Sequence, residues 1–203
     1  MKISYAILAC TEFQELEVLL KFLKENKKEE DEIVVLLDMS TYTAETENIA
    51  TKYADLVKYR SLENHFANQK NALIEVCSGD YIFNIDADEI PHENLMNNLN
   101  LLLEENPNVD IFYVPRVNTV EGLTENHLQE WHWRLNEKGW VNWPDPQMRI
   151  HKNISSIRWK NAVHEILRGQ KSFVHLPHEE EWSLYHHKDI KRQEKQNAFY
   201  GTL

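Results

Sequence analysis

Tyr81-Ile82-Phe83-Asn84-Ile85-Asp86-Ala87-Asp88-Glu89 runs from apolar to acidic within nine residues near the middle of the chain. Its mostly apolar run is short and bounded by Ser78-Gly79-Asp80 on one side and by acids on the other, which predicts a strand buried on both faces. Working backwards, Phe66 to Val76 has helical spacing, and Ala54 to Tyr59 reads as a short strand. Thr46 to Tyr53 reads as a helix, and Ile33-Val34-Val35-Leu36-Leu37 as a second buried strand ending at Asp38. Leu16, Leu19, Leu20 and Leu23 recur at helical spacing behind a first strand, Ile3 to Cys10. Working forwards, Pro91 stands where a helix could begin, with Leu95, Leu99, Leu102 and Leu103 as its apolar stripe. Repeated β-α units of this kind predict an α/β fold with a mostly parallel sheet flanked by helices. Ligands of such sheets bind beyond the carboxyl ends of the strands, where Cys10, Asp38 and Asp86 converge.

The second half differs. All 6 tryptophans and eight of the 10 histidines lie beyond residue 120, and helical periodicity weakens. Strand-like pieces appear at Ile111 to Val117, Gln147 to His151 and Ser156 to Trp159. With no linker or repeat, residues 1–203 are expected to form one domain. Residues 1–110 would be its β-α half and residues 111–203 its Trp/His-rich half. A length of 203 residues suits that organisation. Most of the tryptophans are expected in the core.

A formal charge of -11 argues against a nonspecific nucleic-acid binder, which needs a basic surface to displace counterions, so no nucleic-acid partner is expected. It still allows a nucleotide ligand, because a divalent cation bridges acids to a diphosphate. Cys10 and Cys77 lie in apolar runs and read as free thiols. The apolar start, Ile3 to Cys10, is too short for a membrane span or a signal sequence. The protein is therefore expected to be cytoplasmic, or at most peripheral to a membrane.

Alternation along an extended chain turns Asp86 and Asp88 the same way. Two convergent carboxylates repel unless a cation lies near them, and hard oxygen ligands suit Mn2+ or Mg2+. Such an ion offsets the charge that builds on a departing diphosphate. The competing reading of the tripeptide is a solvated acidic loop at a helix N-terminus.

Three segments in order tilt that balance: Asp38-Met39-Ser40-Thr41-Tyr42-Thr43 after the second strand, Phe66-Ala67-Asn68-Gln69-Lys70-Asn71-Ala72, and Asp86-Ala87-Asp88-Glu89. Together they resemble family 2 glycosyltransferases of the GT-A fold, above all bacterial members with a DADE sequence. The resemblance spans residues 3 to 95 and recurs faintly at Val163-His164-Glu165. It implies a metal-dependent, inverting hexosyltransferase that takes a nucleotide-sugar, a UDP-hexose, and acts on a glycan or lipid-linked saccharide acceptor. Residues 1–110 would then be the nucleotide-sugar-binding half and residues 111–203 the acceptor-side half, where Trp131, Trp133, Trp140 and Trp143 would touch the acceptor. It further implies that Thr11 and Glu12 form the donor-binding turn, that Asp38 meets the nucleobase and that Lys70 stands near the donor. Asp86 would serve the ribose or the metal shell, and Asp88 would ligate the metal. A late histidine, which we assign to His187 of the His186-His187 pair, would complete the shell. Glu165 would be the catalytic base, with Asp145 as the alternative. Two departures are visible: Met39 and Tyr42 replace the second acid and glycine that usually follow Asp38, and the short C-terminus leads us to expect no further acceptor region. The basic run Lys188, Lys191, Arg192 and Lys195 reads as a solvated helix face, or alternatively as a contact for donor phosphates.

Two other classes compete. A sugar nucleotidyltransferase needs a glycine-rich phosphate loop after the first strand, and Ala9-Cys10-Thr11-Glu12 has no glycine. A catalytically inactive carbohydrate- or nucleotide-binding module would have no use for an acidic pair that serves a leaving group.

Overall fold

A computed structural model describes residues 1–200. The first part alternates β1 (Ile3–Ala9), α1 (Phe13–Asn26), β2 (Glu32–Asp38), α2 (Ala44–Tyr53), β3 (Leu56–Arg60), α3 (Phe66–Glu75) and β4 (Tyr81–Asp86). β5 (Glu89–Pro91) and α4 (Glu93–Glu105) follow. The rest comprises β6 (Ile111–Val114), β7 (Arg116–Glu121), α5 (Glu125–Glu130), β8 (Gln147–Lys152), β9 (Arg158–Lys160), β10 (Ile166–Arg168), β11 (Phe173–His175), β12 (Leu184–Asp189) and α6 (Ile190–Tyr200).

Seven strands form the central sheet in the order β11-β6-β8-β4-β1-β2-β3. Only β8 runs against its neighbours, so the sheet is mostly parallel and extends through both halves of the chain. The period of two along β1 divides the core. Ile3, Tyr5 and Ile7 pack with Leu16, Leu19, Leu20 and Leu23 of α1 and with Leu95, Leu99 and Leu103 of α4. Ala6 faces the opposite layer, where Leu73 and Ile74 of α3 meet Trp159 and Leu167. The four α1 leucines are wholly buried, and each contributes roughly 1.5–3 kcal/mol relative to exposure. Gly79 allows the chain before β4 to press onto β1, since a Cβ there would stand 2.6 Å from the Ser4 nitrogen.

Three expectations need correction. Pro91 closes β5 rather than opening a helix; α4 starts at Glu93, with the His92 side chain accepting from the Asn94 N–H. Ile111 to Val117 is not one strand, because the chain leaves the central sheet at Pro115 and β7 joins a separate sheet ordered β5-β12-β7. Among the tryptophans only Trp140 and Trp159 are buried; Trp131, Trp133, Trp143 and Trp182 are half-buried.

β1 pairs in parallel with β2 on one side and β4 on the other, so the chain path diverges from β1 and opens a crevice at the carboxyl edge. The small β5-β12-β7 sheet and α6 wall that crevice. No helix among the described residues is long and apolar enough to cross a membrane.

Candidate active site

An open cavity of about 1750 Å3 occupies this edge, and Thr11, Glu12, Asp38, Lys70, Asp86, Asp88, Asp145 and Glu165 all line it. Behind β1, the Glu12 carboxylate accepts from the backbone N–H groups of Cys10 and Thr11, both at 3.0 Å, and shapes the turn into α1. At the end of β2, Asp38 accepts from the N–H and hydroxyl of Ser40, the Thr41 hydroxyl and the Leu62 N–H. Burial pushes the Asp38 carboxyl up, but these bonds outweigh it and hold the group below the usual carboxylate range.

β4 ends at Asp86, and Ala87 and Asp88 turn instead of continuing the strand. The two acids face the same cavity, yet each has its own cations. Arg149 of β8 donates to both oxygens of Asp86, at 3.3 and 2.5 Å. Burial opposes the Asp86 charge, and the guanidinium overrides it, leaving the carboxyl far below its ordinary range. Arg149 also donates to Glu89, which is wholly buried and accepts from the Asp86 N–H. Arg116 reaches Glu89 at 3.0 Å and Asp145 at 2.8 Å. The result is a continuous ladder, Asp86–Arg149–Glu89–Arg116–Asp145. Asn118 and Gln147 add donors to Asp145, so both of its oxygens are engaged.

One oxygen of Asp88, Oδ2, has three nitrogen neighbours: the Arg192 guanidinium at 3.1 Å, the His186 imidazole at 3.4 Å and the Lys188 ammonium at 3.9 Å. Burial raises this carboxyl, but the bond and charge of His186 and then Lys188 bring it down to about 2. On the opposite wall, Lys70 Nζ lies 2.5 Å from Glu165 and 4.5 Å from the Trp159 ring centroid.

The structure places His186, not His187, beside Asp88. On β12 the side chains alternate, so buried Leu184, half-buried His186 and buried Lys188 share one face. His187 is exposed and contacts the Thr119 hydroxyl at 2.9 Å. In the basic run, Lys188 is buried on β12 and Arg192 half-buried, while Lys191 and Lys195 of α6 are exposed; all four line the cavity. Of the tryptophans expected near an acceptor, Trp133 lines it, while Trp140 and Trp143 flank a separate depression and Trp131 stacks on His127. Sequence reasoning gave no role to Glu89, Arg116 or Arg149. The available signal was a charged residue at position 149 set between the apolar Met148 and Ile150.

No group of three or more metal-ligating side chains exists among the described residues. Asp88 and His186 offer one oxygen and one imidazole nitrogen to the same point of the cavity. That pair suits Mn2+ or Mg2+ whose remaining positions are filled by substrate phosphates and water, the usual arrangement for ions of this type.

The sequence model for "Glycosyl transferase family 2" matches residues 4–200. Poly(ribitol-phosphate) beta-N-acetylglucosaminyltransferase TarP of Staphylococcus aureus (strain N315) is 28% identical over 76 residues, covering 36% of this chain and 23% of TarP. The crystal structure of S. aureus TarS 1-349 in complex with UDP superposes with a TM-score of 0.64 at 14% identity, covering 92% of this chain and 60% of that one. The same protein in complex with UDP-GlcNAc gives 0.63 at 16% identity, with 93% and 59% covered. At these identities the structural likeness is one of fold. The chain spans less than two thirds of each of these relatives.

Proposed function

The chain belongs to glycosyl transferase family 2, and from that premise we propose that it transfers a hexose from a UDP-sugar to a hydroxyl of a glycan or lipid-linked saccharide, with inversion at the anomeric carbon. The observation that carries this reading is Asp88, which opens onto the switch-point cavity among Lys188, Lys191, Arg192 and Lys195. An acid for a bridging ion and a bank of cations together match a nucleoside diphosphate, which is anionic and leaves as a dianion or more. UDP is the chosen nucleotide because TarS, with the same fold, is solved with UDP and UDP-GlcNAc.

Asp38 and its hydroxyl loop serve the uracil, and Thr11 and Glu12 shape the turn beneath the donor. Asp88 with His186 holds Mn2+ or Mg2+, which when bound offsets negative charge on the diphosphate. Asp86, locked by Arg149, keeps the floor of the site in place and presents its carboxylate edge to the ribose. Glu165 is the better base: its one ion-pair partner among the described residues is Lys70, whereas Asp145 is engaged at both oxygens. The acceptor oxygen bonds to the anomeric carbon as the bond from that carbon to the diphosphate oxygen breaks, and the hydroxyl proton goes to Glu165. A single displacement of this kind inverts the centre. Trp133, Asp145 and Glu165 supply the acceptor side, while His186, Lys188 and Arg192 from the same half of the chain reach the donor diphosphate.

Calorimetry tests the donor site. With Mn2+ present, UDP should bind the protein more tightly than GDP or ADP, and Asp88→Ala should lose both metal and UDP affinity. Undiminished UDP binding by Asp88→Ala would remove the basis for this function.

A further inference from the structure

Arg192 stands between two sets of acids. Its Nη2 is 3.1 Å from Asp88 Oδ2 and 3.8 Å from Glu12 Oε1, while its Nη1 lies 2.6 Å from Glu15 Oε1. The backbone is fixed beneath it, because Asp189 Oδ1 accepts from the Arg192 N–H at 2.9 Å and anchors the first turn of α6. The long side chain can therefore pivot without moving the helix. Lys188 is placed differently: it is buried, 3.9 Å from Asp88, and donates to Gln196 at 2.5 Å.

We propose that Arg192 sets the affinity of the site for a divalent cation, by occupying Asp88 Oδ2 in the cation-free protein and yielding that oxygen while retained by Glu12 and Glu15. This rests on the reading above that Asp88 holds the metal. The physical argument is charge repulsion at short range. A divalent ion ligated by Asp88 Oδ2 lies close to the present position of the guanidinium, and two cations crowded on one carboxylate oxygen repel strongly. The guanidinium has a second home already formed on the first turn of α1, where Glu15 is its nearer partner. Arg192 thus keeps the carboxylate neutralised without metal, and Glu15 sets how readily it lets go.

Binding of Mn2+ alone, followed by the electron paramagnetic resonance signal of the free ion, tests this without reference to turnover. Removing one partly exposed, charge-assisted competitor should tighten Mn2+ binding by Arg192→Gln about three- to tenfold. Glu15→Gln should shift it the opposite way, because the guanidinium loses its alternative partner and stays on Asp88. Unchanged or weaker binding by Arg192→Gln, or tighter binding by Glu15→Gln, overturns the proposal. If those results appear while Asp88→Ala abolishes Mn2+ binding, the metal assignment stands and only the role of Arg192 falls. If wild type and Arg192→Gln both fail to bind Mn2+, alone and with UDP present, the metal assignment falls too.

Discussion

Glu89→Ala is the most demanding test of how the site is held. Glu89 is wholly buried, and its carboxylate accepts from Arg149, from Arg116 at 3.0 Å and from the Asp86 N–H at 3.1 Å. Truncation leaves the fully buried Arg149 with Asp86 as its remaining acid, and Arg116 with Asp145. Breaking a buried pair by deleting one partner costs about 3–5 kcal/mol, a large share of a typical total of roughly 5–15 kcal/mol. With an m-value of about 2 kcal/mol/M, urea unfolding should shift its midpoint down by roughly 1.5–2.5 M. Glu89→Gln, which keeps volume and one acceptor oxygen, should lose less. UDP affinity should fall in both variants, because Arg149 fixes Asp86 at the end of β4. A Glu89→Ala midpoint within experimental error of wild type would show that the ladder does not hold the site.

Glu165→Gln keeps shape but cannot take a proton, so turnover should drop about 10²–10⁴-fold with UDP affinity nearly unchanged. If Glu165→Gln turns over normally and Asp145→Asn is inactive, the base is Asp145. A separate pH effect comes from His151, buried with its Nε2 facing the Asn84 amide; burial lowers its pKa from 6.5 to about 4. The folded protein keeps this imidazole neutral while the unfolded chain protonates below about 6.5, so its contribution is complete above that pH and is lost as pH falls towards 4. The loss amounts to roughly 3 kcal/mol, and His151→Gln should flatten the pH dependence of the urea midpoint by about that much. An equal slope in the variant would assign the acid sensitivity elsewhere.

The sequence displays those parts of the fold that are local. β1, β2 and β4 are legible because they are buried on both faces, and β2 and β4 end in acids, which puts Asp38 and Asp86 on one rim in advance. The ladder is not legible, because Glu89 meets Arg116 and Arg149 across separations of 27 and 60 residues, and no local pattern pairs them. The choice between His186 and His187 turns on the parity of β12. Leu184 and Tyr185 are both apolar, so the strand alone does not declare which face is inward. The basic run is split for a related reason: its helical spacing hides that Lys188 belongs to β12 and is buried, while Lys191 and Lys195 of α6 stay exposed at the cavity rim.

The central claim is that Asp88 marks the donor-diphosphate site of a family 2 glycosyltransferase. A crystal of the protein soaked with UDP and Mn2+ tests it in one measurement, through the anomalous signal of the ion. The account predicts manganese against Asp88 Oδ2 and within reach of His186 Nε2, with the diphosphate towards Arg192 and the uracil beside Asp38. Manganese bound away from Asp88, or UDP lying outside the crevice between β1 and β4, would contradict it.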